Sequence, residues 1–244
     1  MADPRQYQTR MRTAGADAGA VIDQGLRAHM LRVYNYMALA LGITGVTAYA
    51  TYMGAVNNPA FAELLFGSPL RFVVMLAPLA LVFFLSFRIH RMSVGAAQTT
   101  FWIYSGLMGL SLSSIFLVYT GESIVQTFFV TAASFGALSL FGYTTKRDLS
   151  AMGSFLVMGL FGLIIASIVN IFLASSAVAF AISAIGVVVF AGLTAWDTQK
   201  IKEMYVEADG DEMAGRKAIM GALTLYLDFI NLFLFLLRFL GNRN

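Results

Sequence analysis

The sequence contains no cysteine and only two histidines, and 12% of its 244 residues are charged. Without cysteine there is no disulfide-built scaffold. The two histidines, His29 and His90, cannot form a zinc site of the His-Glu-x-x-His kind. The shortage of charge excludes more. Soluble chains carry roughly 25% charged residues, and the 16 basic and 13 acidic side chains here cannot cover a soluble domain of this length. At 59% hydrophobic residues, a wholly disordered chain is excluded as well. Also missing are a Gly-x-Ser-x-Gly nucleophile turn, a P-loop and a dinucleotide fingerprint, and the Gly-x-Gly-Asp and Pro-Ala-Leu elements of intramembrane aspartyl proteases. No enzymatic activity is therefore expected, nor ATP-driven transport by this chain alone.

What is there is apolar length. A bilayer core of about 30 Å takes roughly 20 apolar residues per helix. Seven segments meet that measure: Val33–Val56, Leu70–Phe87, Ala97–Tyr119, Ser123–Tyr143, Gly153–Ala174, Ala177–Ile201 and Ile219–Leu240. Their runs are long and continuous rather than short and alternating, so they read as helices and not barrel strands. The expected fold is an all-α membrane protein with seven transmembrane helices. Residues 1–25 are polar and lack an apolar period, which predicts a disordered cytoplasmic tail, with the transmembrane domain over 26–244. The first apolar run begins late and is long enough to span, so no cleavable signal peptide is expected.

Orientation follows from lysine and arginine. Arg5, Arg10, Arg12, Arg27 and Arg32 precede span 1; Arg88 and Arg91 follow span 2; Lys146 and Arg147 follow span 4; Lys200, Lys202, Arg216 and Lys217 surround the connection between spans 6 and 7. One side thus holds 13 of the 16 basic residues, leaving Arg71, Arg238 and Arg243 on the other. The positive-inside rule places the N-terminus in the cytoplasm. It also accounts for the net charge of +3 without a nucleic-acid partner. A last segment that enters and returns would answer Arg238 and Arg243; full spanning is the expectation. Connections are short except for residues 57–69 and 202–218, so no appended soluble module is expected.

Small residues four apart in span 3 (Ser105, Gly109, Ser113), span 4 (Ala132, Gly136) and span 5 (Gly162, Ala166, Asn170) predict close helix contacts. Pro78 removes a backbone hydrogen bond within span 2 and is expected to kink it. The costly residues are Asp197 in span 6 and Asp228 in span 7. A carboxylate at bilayer depth costs about 2.5–3.5 kcal/mol on insertion scales, so each must face the interior and find a partner. The two spans are consecutive and antiparallel, which lets the acids approach each other. Gly221, Thr224, Asp228 and Asn231 share one face of span 7, and Thr194 shares a face with Asp197. With Asn170 of span 5 these side chains form a polar seam that can hydrogen-bond a buried carboxylate. Two adjacent carboxyls cannot both ionise cheaply and so hold a proton in common. Protonated, the pair ties the two helices together; fully ionised, it repels itself and offers hard oxygen ligands suited to Ca²⁺. A permanently protonated clamp and a proton-sensitive switch are equally compatible with the residues alone.

The runs GLTAWDTQKIK (Gly192–Lys202) and GALTLYLDFINLFLFLLRFLGNR (Gly221–Arg243) resemble the signature regions of the Bax inhibitor-1 family, the transmembrane Bax inhibitor motif family. GYTTKRDLS (Gly142–Ser150) and SGLMGLSLSSIFLVYT (Ser105–Thr120) are similar to its bacterial inner-membrane members. The resemblance runs from about Arg27 to the end of the sequence. It implies seven helices with the last one central and surrounded by the other six. It implies a pH-sensitive calcium leak in bacterial members and a dampening of cell death in eukaryotic ones. It also implies that Asp197 and Asp228 act as the pH sensor and ion gate, with a basic residue at the end of span 2, Arg88 or Arg91, as partner. Trp196 stands where tyrosine or phenylalanine is usual and is expected to pack or to sit in the aromatic belt. The resulting expectation is a pH-gated cation (Ca²⁺) leak of the inner membrane, with no cofactor and with Asp197 and Asp228 as tentative Ca²⁺ ligands. The rival is a non-transporting regulator that binds a membrane protease or another integral membrane partner. The acidic group Glu203, Glu207, Asp209, Asp211 and Glu212 lacks the spacing of a Ca²⁺-binding loop and reads as a solvated loop.

Overall fold

The structure, a computed structural model, describes residues 4–244, with side chains from Gln24 onward. The tail expected over residues 1–25 lies, but for its last two residues, outside the part described in full. Seven long helices follow in order: α1 (Pro4–Asn57), α2 (Leu70–Arg88), α3 (Val94–Leu112), α4 (Gly121–Thr144), α5 (Ser150–Leu173), α6 (Ser176–Glu203) and α7 (Asp211–Leu240). All seven are long and apolar enough to cross a membrane, α1 over Gln24–Asn57. No strand occurs among the described residues.

The helix starts are legible in local chemistry. Ser93, Thr120 and Ser175 sit at the N-caps of α3, α4 and α6, where their hydroxyls accept from the amides of Ala96, Ser123 and Val178 and satisfy donors the helix leaves orphaned. Ala174 ends α5 in the left-handed region at φ 49°, so the turn into α6 takes only two residues. Ser113 and Ser114 donate to the carbonyls of Leu110 and Ser111, three residues back. Span 3 is therefore interrupted there and resumes as a short helix, Ile115–Val118. Pro78 is buried within an uninterrupted α2.

One connection differs from expectation. The residues assigned to a loop over 202–218 begin a helix at Asp211. Asp211 and Glu212 occupy the first turn of α7, where the helix dipole favours acids, and Glu212 pairs with Arg216 one turn on. This extension is polar on its outer side, so its hydropathy resembles a loop although its backbone is helical. Val94 of α3 packs against Gly215, and the Arg216 guanidinium donates to the carbonyls of His90 and Met92.

The last helix is the core. In its most apolar window 67% of residues are buried, against 39% for α6, the next highest. Its principal neighbours are α1, α3, α4 and α6, whereas α2 packs mainly on α3 and α5 mainly on α6. The wrap is thus two-tiered. The aromatic centre is Phe101 and Tyr104 of α3 set edge-on to Tyr226 of α7, with Phe135 of α4 against Phe229. Span 7 is one continuous helix, Asp211–Leu240, long and apolar enough to cross, with no return. Beyond Leu240 the chain hooks onto the α3–α4 turn: Thr120 N–H donates to Asn242 O and Asn244 N–H to Val118 O, both at 3.0 Å, and Asn242 N–H donates to the Ser123 hydroxyl at 2.9 Å. The connections at 89–93, 145–149 and 204–210 share one face, rich in lysine and arginine and called here the basic face. The C-terminal hook and the α5–α6 turn lie at the other.

The small-residue pattern marks contacts selectively. A Cβ on Gly109 would strike the backbone of α1 at Thr44 and Ala48, and one on Gly142 would strike the Ala195 carbonyl of α6. Gly136 and Gly162 have nothing within 4 Å of such a Cβ; both lie on exposed faces, so spacing alone misplaced them. Gly142→Ala is expected to part α4 from α6 at a cost of about 1–3 kcal/mol, whereas Gly136→Ala is expected to leave the fold unchanged. Thermal unfolding in detergent checks both, and equal melting temperatures for the two variants would refute the assignment.

Candidate functional site

The sequence Ala195–Lys202 lies where α6 crosses α7, and almost every residue of it has a distinct contact. Asp197 and Asp228 border one cleft where α6 crosses α7 and lie close enough for each carboxyl to feel the other. The two residues are 9% and 5% exposed, so the pair is the main polar feature of a buried interface. Asp228 Oδ2 is buried and has no hydrogen-bond partner among the described residues. Two carboxyl oxygens attract each other only with a proton between them. Thr198, one residue on, turns the other way. Its hydroxyl lies 3.0 Å from that of Ser139 on α4, which in turn lies 2.5 Å from the Tyr34 hydroxyl of α1. Gln199 accepts from Leu149 N–H and donates to Arg147 O, both at 2.8 Å, and so fixes the α4–α5 loop. Lys200 folds over the Trp196 ring at 5.0 Å. Ile201 is buried against Gly221. Lys202 donates to Tyr143 O at 2.9 Å.

The register of α7 against α6 is pinned by Lys217, which donates to Met204 O at 2.9 Å and pairs with Asp209 at 2.5 Å. The aspartates border a cleft of about 590 Å³ between α5, α6 and α7, whose remaining wall is largely apolar: Leu160, Ile164 and Ile168 of α5 face Trp196 and Phe235. Trp196 has the packing role; a Cβ on Gly153 of α5 would run into its indole.

The other residues expected at the site divide. Thr224 and Asn231 line the same cleft as the aspartates, as their spacing requires. Thr194 is buried within α6, away from the cleft. None of the three donates to a carboxyl: Thr194 donates to Phe190 O, Thr224 to Met220 O and Asn231 to Leu227 O. Each donor finds the carbonyl four residues back on its own helix, the usual fate of such side chains in helix interiors. Asn170 is not part of the seam. It lies in the last turn of α5, at the face opposite the basic one, where its Oδ1 accepts from Ser175 N–H at 3.2 Å. Arg88 and Arg91 are exposed and form no ion pair among the described residues; α2 packs against α3 and stands outside the α6–α7 interface. The cation whose field reaches Asp197 is Lys200 of the same helix. Asp209 and Glu212 of the acidic group are taken up by Lys217 and Arg216.

Sequence reasoning missed the Tyr34–Ser139–Thr198 chain, which links three helices at the level of the acids. Its members are a tyrosine, a serine and a threonine in three separate spans, and no periodicity connects them. Only Thr198, directly beside the intramembrane Asp197, could have signalled a polar neighbour.

These features define a helical membrane protein built round its last span, with a buried acid pair where that span meets the sixth. The chain belongs to the Bax inhibitor-1 family: the family model described as Inhibitor of apoptosis-promoting Bax1 matches residues 26–244. An uncharacterized protein of Rickettsia prowazekii is 57% identical over 223 residues, 91% of this chain and 92% of the relative. The inner membrane protein YbhL of Escherichia coli strain K12 is 50% identical over 222 residues, 90% of this chain and 93% of the relative. An uncharacterized protein of Caulobacter vibrioides is 50% identical over 230 residues, 90% of both chains. With seven apolar helices and an inner membrane relative, this chain is an inner membrane protein.

Gln199→Ala is expected to free the exposed Arg147 O and to leave the buried Leu149 N–H unpaired, the latter at about 1–3 kcal/mol. Trypsin should then cut at Lys146 or Arg147 several times faster than in the parent protein, and an unchanged cleavage rate would show that Gln199 does not hold this loop.

Proposed function

We propose that this protein is a pH-sensitive cation leak of the inner membrane, with Ca²⁺ as its substrate ion and the Asp197–Asp228 pair as its gate. The observation that carries the proposal is the nearness of two buried carboxyls, bordering one cleft, across the interface of the two most buried helices. Burial disfavours charge on either group and their proximity disfavours charge on both. One proton held in common therefore ties α6 to α7 and keeps the cleft closed to ions. Loss of that proton leaves two like charges close together in a poorly solvated place. The helices then separate, and the freed carboxylates are hard oxygen ligands for a divalent ion. The sign follows: the closed state binds the extra proton, so the leak rises with pH.

The groups facing the pair support this assignment. Around the cleft, α5 contributes Ser167 and apolar side chains, and α6 contributes Lys200 as the acting cation. Asp148, in the α4–α5 loop, is held below the usual carboxylate range by the hydroxyl and amide of Ser150. It stays ionised near neutral pH and does not compete as the sensor. The closed pair is held without Arg88 or Arg91, which serve as anchors at the membrane surface. A transport role rather than an enzymatic one suits a site whose polar groups are two acids and side chains already bonded to their own helices.

The basic face is assigned to the cytoplasm by the positive-inside rule. Because the chain has no cysteine, single cysteines report this directly. Cysteine at Gly210 is expected to react with an impermeant maleimide only from the cytoplasmic side, and cysteine at Glu63 only from the other side. The reverse pattern would invert the orientation.

In proteoliposomes Ca²⁺ flux is expected to rise between about pH 6 and pH 8, by up to about tenfold per pH unit below its midpoint, as one shared proton is lost. Asp197→Asn and Asp228→Asn remove the like-charge repulsion and are expected to flatten that dependence. Unchanged pH dependence in both variants would refute the gate. Absence of flux at every pH, with capture of a membrane partner that survives both substitutions, would identify a regulator instead.

A further inference from the structure

At the face opposite the basic one, the ends of α5, α6 and α7 enclose a second cavity of about 660 Å³. Its polar wall is made by Ser167, Asn170, Ser176, Ser183, Arg238 and Arg243. No acidic side chain lines it, and neither arginine forms an ion pair among the described residues. These are two of only three basic residues that stand on this side of the membrane, against the charge bias that orients the chain. Arg238 projects from the last turn of α7, and Arg243 from the hook, where its guanidinium lies 5.9 Å from the centre of the Tyr119 ring.

Further donors converge on the cavity. Asn170 uses its Oδ1 to accept from Ser175 N–H, which leaves its NH₂ group free to donate. α6 starts here. Ser175 caps only Val178 N–H, so the amides of Ser176 and Ala177 remain among the orphaned donors of a 28-residue helix, at the positive end of its dipole. Two guanidiniums, a side-chain amide and a helix N-terminus suit an oxyanion with several acceptor oxygens, and a phosphate above all.

The cavity does not open on water alone. Ile171 and Phe180 line it and are 76% and 60% exposed, which in a membrane-spanning helix means exposed to lipid. Ser167 and Ile171 also border the cleft that holds the aspartates, so the two spaces adjoin along α5. Ten residues of α7, about 15 Å of helix, separate Arg238 from Asp228, and one leaflet contributes about half of the roughly 30 Å hydrocarbon core. A chain anchored at the arginines by its headgroup reaches the level of the acids.

We propose that this cavity binds the headgroup phosphate of an anionic phospholipid, with Arg238, Arg243 and the N-terminus of α6 holding the phosphate and one acyl chain lying in the adjoining cleft between α5 and α7. The site is independent of the gating reading, since it requires neither ion flux nor a shared proton.

The test is thermal unfolding of the full-length protein in detergent, with phosphatidylglycerol, phosphatidylcholine or inorganic phosphate added in separate series. Phosphatidylglycerol is expected to raise the melting temperature in a saturable manner, phosphatidylcholine and inorganic phosphate to have little effect, and Arg238→Gln/Arg243→Gln to raise the phosphatidylglycerol concentration at half-effect at least tenfold. Arg243→Gln alone, an exposed position in the hook, gives the same readout with a smaller shift should the double variant not fold. Equal responses to the two lipids, or an unchanged half-effect concentration in the variants, would overturn the site. A shift produced by inorganic phosphate and not by phosphatidylglycerol would overturn the lipid assignment in favour of a free anion.

Discussion

A carboxyl group within a membrane has to be neutral, paired or wetted, and the structure is arranged around two that lie close to each other. Asp197 and Asp228 are on the two most buried helices, and they lie close together where those helices cross. Neighbouring polar groups do not compete for them: the hydroxyls and amides of Thr194, Thr224 and Asn231 are spent on their own backbones. The cost of burying a charge therefore falls on one pair at one interface. The contacts around that pair, Lys217 with Met204, Gln199 with the α4–α5 loop and Lys202 with Tyr143, hold it in register.

The same stretch of α6 shows how a short motif can serve several neighbours at once. Because successive helical residues point about 100° apart, Asp197, Thr198 and Gln199 address α7, α4 and the α4–α5 loop in turn. A substitution at any of the three thus acts on a different helix pair. Two of the seven long helices, α2 and α5, stand mostly in lipid on their outer sides, which leaves the inner five as the unit that carries the polar contacts.

Much of this was legible in the sequence, for physical reasons. Hydrocarbon thickness sets span length, so all seven helices were placed from apolar runs. The price of intramembrane charge singled out Asp197 and Asp228. The misplacements have causes as definite. The early start of α7 was hidden because its first two turns are amphipathic and polar. Asn170 was drawn into the seam because residue type and span number say nothing of depth, and α5 carries it to the far face. Gly136 and Gly162 follow the spacing of contact glycines, but nothing stands within 4 Å of where their Cβ atoms would be. Arg88 and Arg91 were placed beside the gate by resemblance, whereas the packing of α2 on α3 keeps them outside it. The Tyr34–Ser139–Thr198 chain could emerge only from the packing of three helices.

The hook that follows Leu240 gives the central helix a fulcrum. With its far end fastened to the α3–α4 turn, α7 would tilt as a lever, with displacement growing with distance from the pivot. Asp228 lies 12 residues from Leu240, about 18 Å along the helix, and Asp211 lies 29 residues away, about 44 Å. A tilt that parts the carboxyls by about 2 Å would carry the first turn of α7 about 5 Å. The mechanical amplitude of any such tilt is thus greatest not at the acids but at the basic face, where Arg216 and Lys217 grip the neighbouring loops and would have to let go first.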